Sequence, residues 1–105
     1  MEINENLEKI VNVVKKIIPL REAYLFGSFA YGTPNQNSDF DLYFVVDKIE
    51  GSKHDNIVAI HKAIDSIRIK PVDVLLNTKE YFDYRKGNRS TLEHVVAEEG
   101  DKLYG

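Results

Sequence analysis

The order of apolar stretches between Asp39 and Leu76 constrains the fold of this chain more than any other sequence feature. Residues 39–47 alternate as a strand does, so every second side chain points to the same face. One face carries Phe40, Leu42, Phe44 and Val46, and the other carries Asp39, Asp41, Tyr43 and Val45. A helix opening at Gly51-Ser52 follows, and Pro71 bounds another strand, Val72–Leu76. Because a full helix joins them, these two strands can run parallel through a right-handed crossover.

The remaining segments predict one more buried strand and several helices. Pro19 ends a first amphipathic helix, whose apolar positions are Ile3, Leu7, Ile10, Val14 and Ile17. Glu22–Gly27 reads as a buried strand, and it can pair with the next strand in either direction. Two short helices near Thr78–Arg85 and Ser90–Glu99 and an edge strand, Asp101–Tyr104, complete the order. We therefore expect one α+β (mixed α/β) domain over residues 1–105, a small mixed β-sheet flanked by helices.

Composition narrows the class of protein. The 105 residues contain no cysteine, which excludes a disulfide scaffold, a thiolate zinc site and a cysteine nucleophile, and suits a reducing cytoplasm. The 14 basic and 17 acidic residues give a net charge of −3, which disfavours direct nucleic-acid binding. No apolar run approaches the ~18 residues that cross a bilayer, and the amino terminus does not resemble a signal peptide. We expect a soluble cytoplasmic protein.

Three carboxylates lie on predicted strands rather than in loops. Asp39 and Asp41 leave the same face of their strand about 6–7 Å apart. Asp73 lies within an otherwise apolar strand, where we expect burial to disfavour an acid. If the two strands are close, the three acids converge on a site for hard cations, two magnesium or manganese ions. The alternative is a turn-flanking Asp39, a solvent-facing Asp41 and a charge at a strand edge at Asp73.

The dipeptide Gly27-Ser28 follows the first predicted strand. A short helical turn at Ser28–Gly32 would leave backbone N–H groups and the serine hydroxyl free to hold a phosphate. The alternative is an ordinary turn that needs glycine for its dihedral angles.

Together these residues resemble a known family. Leu25-Phe26-Gly27-Ser28, ten intervening residues and Asp39-Phe40-Asp41-Leu42, with Asp73 on a later strand, are similar to the nucleotidyltransferase superfamily that includes DNA polymerase beta. The segment Gly27–Gly32 and the ending Glu98–Tyr104 most resemble its minimal branch, the MNT proteins.

The resemblance implies a nucleotidyltransferase fold, ATP or another nucleoside triphosphate as donor, and two Mg²⁺ ions. Gly27 and Ser28 would bind the triphosphate, Asp39 and Asp41 would bind metal, and Asp73 would complete the metal site facing the acceptor hydroxyl. These three aspartates are the implied catalytic residues. MNT proteins commonly act as antitoxins beside a HEPN-domain ribonuclease toxin, and some transfer AMP onto a tyrosine of that toxin. The resemblance therefore implies a hetero-oligomer with a HEPN-type partner.

A second hypothesis is a binding module that keeps this scaffold but neutralises its partner by occlusion. Tyr31 stands where many relatives carry an arginine that could bind phosphates, and the absence of this arginine is compatible with the occlusion hypothesis. The aromatic residues Tyr81, Phe82 and Tyr84 form either part of the core or an exposed surface for a partner. The cations in Arg85–Arg89 form either a solvated loop or a contact with phosphate or a partner.

Overall fold

The fold is an α+β arrangement of four helices and four strands in the computed structural model, which describes residues 2–27 and 39–105. The elements in chain order are α1 (Ile3–Lys15), β1 (Leu20–Phe26), β2 (Phe40–Val46), α2 (Lys53–Ile64), β3 (Val72–Thr78), α3 (Lys79–Lys86), α4 (Leu92–Glu99) and β4 (Asp101–Tyr104). The predicted elements are confirmed, with boundaries shifted by a few residues.

The four strands form one mixed sheet in the order β3-β2-β1-β4. The strands β2 and β3 are parallel, the arrangement that the crossover through α2 makes possible. The strands β1 and β2 are antiparallel, which decides the pairing that the sequence left open. The edge strand predicted near the carboxyl terminus is β4, which pairs antiparallel with β1.

Both faces of the sheet are covered, because β2 is apolar on both sides. On one face, α1 and α2 pack over the side of β2 that carries Phe40 and Leu42. On the other face, α3 and α4 supply Phe82 and Val96, which pack with Tyr24, Tyr43 and Val45. The ring of Phe82 lies 5.4 Å from that of Tyr24 and 5.2 Å from that of Tyr43.

Hydroxyl side chains start three of the helices. The side chains of Ser52, Thr78 and Thr91 accept a hydrogen bond from a backbone N–H in the first turn of α2, α3 and α4 respectively. The predicted core face of the first helix was wrong at its ends, since Ile3 and Ile17 are exposed. Ile17 lies beyond α1, where the helical period no longer determines which way the side chain points.

Asn6 connects α1 to the segment that leads into β3. Its side chain is fully buried, donates to the carbonyl oxygen of Ile67 at 2.7 Å, and accepts from the backbone N–H of Ile69 at 3.1 Å. A buried amide that satisfies two backbone groups fixes this segment against the helix. The path of the chain into β3 is therefore set partly by α1.

Candidate functional site

The candidate site lies on one row of residues that crosses three neighbouring strands. Phe26 at the end of β1 is opposite Asp41 on β2, and Asp41 is opposite Asp73 on β3. Neighbouring strands are about 4.8 Å apart, so paired side chains on one face are in contact range. The carboxyl groups of Asp41 and Asp73 lie close enough to interact, since Asp73 is among the groups that raise the pKa of Asp41.

The environment of Asp41 disfavours its ionised form. Burial raises the pKa of the Asp41 carboxyl, and the hydrogen bond with Asp73 and the negative charges of Asp73 and Asp39 raise it further. Asp39 immediately precedes β2, two residues from Asp41 on the same face. The structure therefore brings the three aspartates of the sequence prediction into one electrostatic neighbourhood.

One part of the expectation for Asp73 was wrong. Its side chain is exposed rather than buried, because β3 is an edge strand of the sheet. Burial instead acts on Asp41, which lies on the inner strand β2. The pair thus combines a partly covered acid with one that solvent or a second molecule can reach.

Gly27 follows the last residue of β1 and lies directly beside Asp41. Its φ of +75° lies in the region that favours glycine, and a Cβ at this position would collide with Oδ2 of Asp41. Both observations explain why glycine is needed here. Ser28, Tyr31 and the Ser28–Gly32 turn lie outside the described residues.

The donors at this site fit a hard divalent cation in their chemistry. Asp39, Asp41 and Asp73 offer only carboxylate oxygens, the ligands that Mg²⁺ and Mn²⁺ prefer. At an effective dielectric constant near 20, two full charges 5 Å apart repel by about 3 kcal/mol, which a cation would relieve. In residues 2–27 and 39–105, no three histidine, cysteine or acidic side chains are already arranged as a metal-binding group. These three aspartates are therefore the side chains that would hold such a cation.

Two buried acids on this face of the sheet, Glu22 and Glu93, were not predicted from the sequence. Glu22 on β1 is buried, accepts a hydrogen bond from Oη of Tyr24 at 2.5 Å, and pairs with Nζ of Lys79 at 2.5 Å. Burial raises the pKa of Glu22, but these hydrogen bonds and the charge of Lys79 outweigh it, and the pKa is lowered overall. The sequence does contain a signal for Glu22, because it lies two residues before Tyr24 on the same face of an apolar strand.

The other buried acid, Glu93, anchors α4 over the sheet. It accepts from Oη of Tyr43 at 2.9 Å and pairs with Nε of Arg85 at 3.2 Å. Nδ2 of Asn77 donates to the same Tyr43 hydroxyl at 2.8 Å. These contacts hold the aromatic core, one row from Asp41, in a fixed arrangement.

Sequence comparison identifies the family to which this site belongs. The nucleotidyltransferase domain family matches residues 7–97, most of the chain. The chain belongs to this family and is a nucleotidyltransferase by its domain. No curated protein matches it significantly.

Solved structures show the same fold. A chain assigned as a nucleotidyltransferase from Sulfolobus solfataricus is 26% identical with a TM-score of 0.58, and the match covers 77% of this chain and 71% of that one. A toxin–antitoxin complex with AMP-PNP contains a chain that is 22% identical, with a TM-score of 0.59 and coverage of 99% and 74%. The complex of a tri-AMPylated Shewanella oneidensis HEPN toxin with an MNT antitoxin contains a chain that is 20% identical, with a TM-score of 0.54. This match covers 96% of the present chain and 71% of that one. The predicted nucleotidyltransferase family is confirmed, and the fold is the one found in these complexes of MNT antitoxins.

No helix in the part of the chain that the structure describes is long and apolar enough to span a membrane.

Proposed function

We propose that this protein transfers AMP from ATP, in the presence of Mg²⁺, to a tyrosine hydroxyl of a HEPN-type toxin. The observation that carries the proposal is the pairing of Asp41 with Asp73 on adjacent strands, with Asp39 close by. On this proposal residues 1–105 act as one minimal domain, an antitoxin that forms a hetero-oligomer with its partner in the cytoplasm.

The proposed chemistry assigns a role to each side chain. Asp39, Asp41 and Asp73 would hold two divalent cations, which neutralise the phosphate charges and the leaving pyrophosphate when bound. Asp73, at the exposed edge, receives the proton of the acceptor hydroxyl as its oxygen attacks the α-phosphorus in line. The bond between the α-phosphorus and the bridging oxygen breaks, and pyrophosphate leaves. Gly27, and Ser28 by the family resemblance, bind the triphosphate next to Asp41.

The partner and the nucleotide are supported by the related structures. One structural neighbour is a toxin–antitoxin complex with AMP-PNP, and another contains a tri-AMPylated HEPN toxin bound to an MNT antitoxin. We carry the nucleotide, the AMP product and the HEPN partner over to this chain as part of the proposal.

The second candidate function is neutralisation by occlusion without transfer. Tyr31, where many relatives have an arginine, favours it, because a missing cation would weaken phosphate binding.

The deciding experiment uses the purified protein, Mg²⁺, ATP labelled at the α-phosphate and the purified HEPN-type protein encoded beside its gene. We expect label on the partner, and we expect Asp41→Ala to abolish it. The matched control is Asp47→Ala, which removes an exposed aspartate that follows the other end of β2. Full toxin neutralisation by Asp41→Ala, with no label transferred by the unmodified protein, would support occlusion instead.

A further inference from the structure

From the arrangement of β3 and α3 we infer the surface on which the acceptor protein docks. It consists of the exposed side chains of Leu75, Tyr81 and Tyr84, which we term the edge patch. We propose that it binds an acceptor that surrounds its hydroxyl with apolar side chains and places a basic side chain opposite Glu80. This inference rests on the proposed function, because it takes Asp73 as the point that the acceptor hydroxyl reaches.

The edge patch begins beside the candidate site. Leu75 is two residues beyond Asp73 on the same face of β3, about 6.6 Å along the strand. It ends the row Tyr24–Tyr43–Leu75 that crosses β1, β2 and β3. The ring of Phe82 covers the first two members of this row, whereas Leu75 remains 37% exposed.

The helix α3 extends the patch away from the strand. Tyr81 lies close enough to Tyr43, the partner of Leu75 in the sheet, to raise the pKa of the Tyr43 hydroxyl, after the larger effects of burial and hydrogen bonding. Tyr81 and Tyr84 also line an open depression of about 560 Å³, together with Thr78 and Glu80. Tyr81 is 42% exposed and Tyr84 78% exposed, so two rings and a leucine face solvent on one side of the domain.

The charges around the patch indicate what it would bind. Asp83 pairs with both Lys79 and Lys86, and Arg85 pairs with Glu93. Among the charged side chains of α3, Glu80 alone has no ion pair with a described residue, so its exposed carboxylate is the charge of this helix that is available to a partner. An apolar surface with one uncompensated acid fits a partner that is apolar at its centre and basic beside it.

Continuity with Asp73 selects the acceptor protein as the occupant. A macromolecule that brings a hydroxyl to Asp73 comes within about 6.6 Å of Leu75, the next residue on the same face of this edge strand. The aromatic side chains of α3 then provide the kind of surface that supplies much of the binding energy in protein interfaces.

The test compares Leu75→Glu and Tyr84→Glu with a matched control, Ile17→Glu. Ile17 is also a large exposed apolar residue, but it follows α1, which packs on the opposite face of the sheet. AMP transfer is measured against the concentration of the HEPN-type protein encoded beside the gene, and AMP-PNP binding is measured separately. We expect each patch variant to raise the KM for this protein about tenfold or more, with kcat and AMP-PNP affinity unchanged. The Ile17→Glu variant should leave all three values unchanged.

An unchanged KM in both patch variants would overturn the edge patch while leaving the transferase proposal intact. If the unmodified protein transfers no AMP, the transferase proposal fails, and direct binding of the HEPN-type protein, measured by calorimetry, then decides the patch. A weakened complex in the two patch variants alone would support the docking surface; equal affinities would overturn it.

Discussion

Both the backbone conformation at Gly27 and its contact with Asp41 of the candidate site require a glycine. Its φ is positive, and the space that a Cβ would take is filled by the Asp41 carboxylate. Gly51 provides a natural comparison, because its φ is +73° and nothing lies within 4 Å of a Cβ placed there.

We expect Gly27→Ala to lower the free energy of unfolding by about 2 kcal/mol and to weaken AMP-PNP binding. In Gly51→Ala only the positive φ is unfavourable, so the free energy of unfolding should fall by about 1 kcal/mol with no change in nucleotide binding. Urea denaturation and calorimetric titration measure the two quantities. Equal effects of both substitutions on AMP-PNP binding would contradict the role given to Gly27.

The raised pKa of Asp41 predicts a pH-dependent gain in stability for Asp41→Asn without metal. An acid whose pKa is higher in the folded state destabilises the fold once the pH passes its unfolded value, about 3.9 for aspartate. The variant should therefore be more stable than the parent at pH 7, and the difference should vanish below about pH 3. Thermal denaturation in EDTA across this range checks it, with the exposed Asp47→Asn as the control. A variant less stable than the parent at pH 7 would refute the proposed repulsion.

The acids of the site could be predicted from the sequence, because alternation alone places Asp39 and Asp41 on one face of a strand. The exposure of Asp73 could not be predicted in the same way. It depends on β3 being at the edge of the sheet, and strand order is a property of the whole fold rather than of the segment around Asp73.

At the scale of elements, buried acids hold the helices α3 and α4 on the aromatic face. Glu22 links β1 to the start of α3 through Lys79, and Lys102 on β4 approaches the same carboxylate at 3.9 Å. The strands and helices themselves were predictable from periodicity and capping residues. The ion pairs between these elements could not be predicted, because Lys79 and Lys102 are 57 and 80 residues from Glu22 in the sequence.

We expect Glu22→Gln to lower the free energy of unfolding by about 2 kcal/mol at pH 7, because it removes the buried carboxylate that accepts from Tyr24 and pairs with Lys79, which keeps only Asp83. The pKa of Glu22 is lowered by folding, so its contribution is present above the ordinary glutamate value of about 4.3 and is lost as the pH falls through the folded value. Urea denaturation at pH 7 and at pH 3 measures both. Glu50→Gln, which removes an exposed pair with Lys48, is the control and should change stability by less than about 0.5 kcal/mol. A Glu22→Gln loss of the same size at both pH values would contradict the ionic explanation.

At the scale of the whole molecule, the crossover through α2 brings two distant acids into one site. The length of that connection allowed the parallel pairing of β2 and β3, whereas the short loop between β1 and β2 left the direction of their pairing open. A cation bound by Asp41 and Asp73 would therefore join segments that the unfolded chain separates.

This geometry predicts that Mg²⁺ stabilises the folded protein. At a tenfold excess of Mg²⁺ over its Kd the free energy of unfolding should rise by about 1.4 kcal/mol, since the unfolded chain lacks the site. Asp73→Asn should reduce the accompanying rise in Tm, whereas Asp47→Asn should preserve it. Differential scanning fluorimetry with and without Mg²⁺ makes the comparison. The same rise in Asp73→Asn as in the parent would remove Asp73 from the metal site.

The amide of Asn6 lets the amino-terminal helix influence the position of residues on the other face of the sheet. It fixes the backbone at Ile67 and Ile69, six and four residues before Asp73, so a side chain outside the site helps to place this carboxylate. A genetic screen for loss of the proposed antitoxin activity should accordingly recover changes at Asn6 alongside those at the aspartates, in protein that still accumulates in the cell.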